Sequence, residues 1–122
     1  MTKNNNRKYD LEERTSKFGE DIINYCKKIP RSPINDPLII QLVKAGTSVG
    51  ANYSEADDAE SKKDFRHKIG IVKKESRESK HFIRMTIVAV PELKEEGEVL
   101  KQEAKELNLN FNSIFRKVKD NN

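Results

Sequence analysis

Apolar residues along this chain recur in steps of three and four rather than two, and prolines divide that rhythm into four stretches. In the first, Leu11, Thr15, Phe18, Ile22, Tyr25 and Ile29 form a helical seam, and Asp10 followed by Glu13 has capping-box spacing, so a helix is expected from about Leu11 to Lys28. Proline then punctuates the chain from Pro30 to Pro37. Asp36 ahead of Pro37 reads as an N-cap before a first-turn proline, and Leu38, Leu42, Ala45, Val49, Asn52, Ala56 and Ala59 continue as a second seam. Ser61 and Asp64 repeat the capping-box spacing ahead of Phe65, Ile69, Val72, Ser76, Ser79 and Ile83, which carry a third helix towards Val88. Pro91, with Glu92, Glu95 and Glu96 close behind, opens a fourth whose seam runs Leu93, Gly97, Leu100, Ala104, Leu107, Phe111, Ile114 and Val118. The domain is thus expected over 10–119, with flexible tails at 1–9 and 120–122.

Short connections bring consecutive helices back antiparallel, so the fold class is all-α, an up-down-up-down four-helix bundle. The near-heptad seams favour left-handed packing. Ile23, Ile39, Val43, Ile71, Phe82 and Ile87 lie off those seams. They either widen the core-facing stripe or form a second stripe that joins copies of the chain.

Composition narrows the function classes. At 122 residues, 36% of them charged, with 5 glycines and 4 prolines, the chain fits one helical domain. No apolar run approaches the roughly 20 residues of a membrane span, and Met1 to Lys8 has no apolar core like that of a secretory signal, so a cytoplasmic setting is expected. Cys26, the one cysteine, reads as a small helix-face residue in a reducing compartment. Gly46, Gly50 and Gly70 stand singly inside helices, where close packing explains them better than a phosphate loop does. His67 and His81 are fourteen residues apart, with no Glu-x-x-His pattern near either. The expectation is a non-enzyme with no catalytic residues, metal or cofactor.

Two polar features remain. Asn52 and Ser76 occupy seam positions, with Glu55, Glu75 and Glu78 beside them. Buried polar groups need partners, so a cross-helix network from Asn52 to Glu75 or Ser76 would fix the register of helices two and three; the plain alternative sends the glutamates to solvent and Asn52 to backbone or water. The second feature is charge. Residues 61–91 hold nine Lys and Arg against three Asp and Glu, whereas 36–60 hold one against five and 92–122 hold six against seven. Arg66, Lys73, Arg77, Lys80 and Arg84, in steps of seven, four, three and four, fall on one face of the third helix, where they can follow phosphates or simply face solvent. Lys101 and Lys105, on the less basic fourth helix, are expected to matter less.

Gln41, Leu42, Ala45, Ser48, Val49, Asn52, Glu55 and Ala56, followed by Lys62, Lys63, Asp64, Phe65, Lys68, Ile69, Lys74, Glu75, Arg77 and Glu78, resemble the four-helix-bundle proteins first met as open reading frames in intervening sequences of bacterial 23S ribosomal RNA genes. Where that family commonly has an Ala-Arg-Glu-Thr run and then an aromatic pair, this chain has Ser76, Arg77, Glu78 and Ser79, then His81 and Phe82. The resemblance implies a bacterial cytoplasmic protein without known enzymatic activity that forms a ring-like homo-oligomer, a pentamer being favoured. The chain is also similar to the accessory variability determinant of diversity-generating retroelements, which implies RNA or DNA and a reverse transcriptase as partners. Two functions follow: a nucleic-acid-binding accessory protein using Arg66, Lys73, Arg77, Lys80 and Arg84, or a protein-interaction scaffold that never meets nucleic acid.

Overall fold

The structure is a computed structural model that describes residues 3–118, with side chains described over 11–118. Helix α1 spans Lys3–Lys27, α2 Asn35–Asp57, α3 Lys62–Ala89 and α4 Lys94–Lys117, with a single 3-10 turn at Pro91–Leu93 ahead of α4. Each helix packs on its neighbours in sequence, and α1 meets α4 across the narrowest of the contacts, which closes an all-α four-helix bundle.

Local chemistry sets the boundaries. Ser61 caps α3 as expected, its hydroxyl accepting the Asp64 amide at 3.0 Å. Asp10 does not begin α1, which extends back to Lys3; Asp-x-x-Glu spacing also places two acids on one face inside a helix, so the pattern alone does not mark a start. The expected tail at 120–122 lies outside the described residues. Asp36 does not cap α2 either, because α2 begins at Asn35 and Asp36 already lies in its first turn, where Arg31 holds its carboxylate at 2.6 and 3.1 Å and keeps it below the usual carboxylate range. Ser32 takes over, its hydroxyl accepting the Asn35 amide at 2.9 Å. Pro37 sits in the first turn, where its missing N–H costs nothing.

The seams form the core. Phe18, Ile22, Tyr25, Leu42, Val49, Ile69, Val72, Ile83, Leu107 and Phe111 are all fully buried. A side chain at Gly46 would sit 2.8 Å from Ile22 Cγ1, and one at Gly97 would sit 2.7 Å from Ile87 Cγ1, so these two positions admit close helix approach only as glycine. Ile39, Val43, Phe82 and Ile87 pack against this core and widen it, while Ile23 stays 40% exposed. Tyr53, beside the seam residue Asn52, is also buried and meets Phe111 with ring centroids 5.5 Å apart. Inside the core, Thr86 donates its hydroxyl to Ile83 O (2.7 Å), so the 2.8 Å bond between Tyr25 and Thr86 is donated by the tyrosine. No helix among the described residues is long and apolar enough to cross a membrane.

Candidate nucleic-acid interface

The basic face of α3 divides into two parts with different surroundings. Arg77, Lys80 and Arg84 are exposed, and α4 brings Lys101 and Lys105 alongside them, so that five cations line one open cleft of about 520 Å³ together with His81, Gln102 and a single carboxylate, Glu98. Glu98 pairs with Lys101 at 3.2 Å. Among the described residues no carboxylate pairs with Arg77, Lys80, Arg84 or Lys105. Lys101 and Lys105, expected to matter less than the basic face of α3, thus line the same cleft as its exposed part.

The reason lies in how α4 sorts its charge. Its total is nearly balanced, but Glu103 and Glu106 turn towards α1, where Arg14 donates to Glu103 Oε2 at 2.7 Å, to Glu103 Oε1 at 2.8 Å and to Glu106 Oε1 at 3.0 Å. These bonds raise the Arg14 pKa further and offset part of the acidic charge at the α1–α4 seam. The lysines are left facing α3.

Arg66 and Lys73, the other two cations assigned to the face, are held by an aromatic ring from α4. The Arg66 guanidinium lies 3.7 Å from the Phe115 ring centroid and donates from Nε to Phe115 O at 3.3 Å, and Lys73 Nζ lies 4.5 Å from the same centroid. Gly70 makes room for the ring, since a side chain there would come within 3.1 Å of Phe115 Cε1. Cation–π attraction holds both side chains against the ring.

The polar seam does not join α2 to α3 through Asn52. That amide donates to Ser48 O at 2.8 Å, four residues back on its own helix, and forms no bond with Glu75 or Ser76. The cross-helix partner of Ser76 comes from α4 instead: Asn108 Nδ2 donates to Lys73 O at 2.8 Å and reaches Ser76 Oγ at 3.4 Å. Ser76 and Ser79 satisfy themselves on the carbonyls of Lys73 and Glu75. Glu55 is the one seam acid that bridges helices, accepting from Lys68 Nζ at 2.7 Å. Glu75 is half-buried beside Glu78, and burial, then that like charge, pushes its carboxyl up against the opposing pull of Lys74 and Lys44.

Among the described residues no group of three or more His, Cys, Asp and Glu side chains could hold a metal ion. Sequence reasoning named Lys101 and Lys105 only as positions expected to matter less, and it missed Asn108 and Phe115. Lys101 and Lys105 carried a usable signal, since their four-residue spacing puts them on one side of α4. Phe115 carried none, because nothing local indicates which cation a ring will meet.

The crystal structure of a protein of unknown function from the S23 ribosomal protein family of Bacteroides thetaiotaomicron VPI-5482 is similar at 28% identity and a TM-score of 0.75, covering 86% of this chain and 97% of that one. A search of curated proteins gave no match. The family model for the 23S rRNA-intervening sequence protein matches residues 7–113, and the chain belongs to that family.

Proposed function

We propose that this chain is a non-enzymatic, cytoplasmic accessory protein that binds the phosphate backbone of RNA or DNA through the α3–α4 cleft. One observation carries the reading: Arg77, Lys80, Arg84 and Lys105, from two antiparallel helices, face one cleft with no carboxylate partner among the described residues. Cations gathered in this way raise the local potential, and a polyanion relieves their mutual repulsion while releasing its own counterions. The family resemblance supports assembly into a ring-like homo-oligomer of five copies, which would multiply the cleft. Ile34, Val88 and Val99, each more than two-thirds exposed, are available for contacts between copies.

A second reading, a protein-interaction scaffold, draws on the groove between α1 and α4, where exposed Val99 lies beside Phe18 and Leu100. A reverse transcriptase is the partner that the resemblance suggests for it.

Charge reversal separates the two. Arg77→Glu with Lys80→Glu, and separately Lys101→Glu with Lys105→Glu, should each weaken binding of RNA and DNA oligonucleotides by about tenfold or more, uniformly across sequences. Binding that survives both double variants would remove the cleft from the function.

A further inference from the structure

The groove between α3 and α4 continues past the cationic cleft into a second cleft of different character. Lys63, His67, Gly70, Lys74, Arg77, His81 and Arg84 follow one another along α3 in alternating steps of four and three, so a single stripe runs through both clefts. Lys74 and Arg77, at the junction, are separated by about 4.5 Å of helix rise, so the two clefts adjoin along α3. The second cleft has a volume of about 370 Å³. Its floor is apolar, formed by Gly70, Ile71 and Phe115, and its rim is cationic or imidazole, formed by Lys63, Arg66, His67 and Lys74.

This lining differs from a phosphate track. A phosphate gains nothing from an apolar floor, whereas a nucleotide carries both a flat apolar face and a charge. Arg66 is already held in place, its guanidinium carbon 3.7 Å from the Phe115 ring centroid and its Nε donating to the Phe115 carbonyl at 3.3 Å, so it offers a planar cation without the entropy cost of ordering a free side chain. Arginine planes and aromatic rings are the surfaces on which unpaired bases are received. Bases inside a duplex stay in their own stack and cannot enter.

We propose that the cleft around Gly70, Ile71 and Phe115 receives an unpaired nucleobase of a single strand whose phosphates lie along Lys63, Lys74 and the cationic cleft. This rests on the reading of α3–α4 as a nucleic-acid surface and adds a base subsite to it. Phe115 acts here as a positioning residue for Arg66 and as part of the floor.

The test compares a short single-stranded oligonucleotide with the same phosphodiester chain lacking its bases, by fluorescence anisotropy on the unmodified protein. Base engagement should make the abasic chain bind about fivefold or more weakly. Phe115→Leu, checked for an unchanged unfolding midpoint, should shrink that ratio towards one, while Arg77→Glu with Lys80→Glu should weaken both ligands and leave the ratio in place. Equal binding of the two ligands by the unmodified protein would overturn the base subsite while leaving the phosphate reading intact. Failure to bind either would overturn both.

Discussion

Cys26 lies within the core between Tyr25 and the α1 terminus, and burial pushes its thiol up from 9.0 to about 11. The unfolded chain therefore loses this proton before the folded chain does. The group's contribution to stability is intact below about pH 9 and is lost as the pH climbs towards about 11. Burial also raises the Tyr25 and Tyr53 phenols, so they act in the same direction at higher pH. Cys26→Ala should narrow the difference between denaturant midpoints measured at pH 8 and pH 10 without abolishing it. On the unmodified protein at pH 8, a thiol reagent should react only as fast as the chain opens; rapid stoichiometric labelling of folded protein would contradict this burial. The sequence placed Cys26 only on a helix face; its four-residue step from Ile22 sets it beside the first seam, and the packing of the bundle is what buries it. The burial of Tyr53 was not legible either, because the seam through Val49 and Ala56 points equally well to Asn52, and only the meeting with Phe111 decides that the ring goes inward.

At the level of elements, the caps divide into those that are local and those that are not. Ser61 was legible because a hydroxyl and an amide three residues apart meet wherever the chain turns into a helix. Asp36 failed because α2 starts one residue before it, with the Ser32 hydroxyl on the Asn35 amide, and the ion pair that Asp36 forms with Arg31 across the loop leaves no periodic trace. The closing of the bundle was equally hidden. Arg14 joins α1 to Glu103 and Glu106 of α4 through a planar fork that lysine cannot reproduce, at the seam where those two helices have least else in common. Arg14→Ala should lower stability by about 1 kcal/mol at low salt and by less at high salt, and Arg14→Lys should recover little of it. An unfolding midpoint unchanged by Arg14→Ala would show that the fork adds nothing to holding α1 on α4.

For the whole molecule, the four-helix fold could be read from periodicity because each seam is repeated several times and errors at one position do not move it. The candidate site could be read only by halves. The excess of cations on α3 was visible, but the contribution of α4 was masked by a nearly balanced total that tertiary packing sorts into an acidic side towards Arg14 and a basic side towards Arg77 and Lys80. Whether five copies close a ring depends on surfaces that meet only between molecules. Light scattering coupled to size exclusion should give about five times the 14.1 kDa chain mass, and a mass equal to one chain across micromolar concentrations would rule the ring out. The central claim is that the cleft binds phosphates, and its most direct test is the salt dependence of oligonucleotide binding. The logarithm of affinity should fall linearly with that of salt concentration, by about 0.9 per phosphate contact on duplex DNA or about 0.7 on single strands, and the slope should flatten in both the Arg77/Lys80 and the Lys101/Lys105 charge reversals. No binding to RNA or DNA at low salt, or a slope that neither double variant changes, would contradict it.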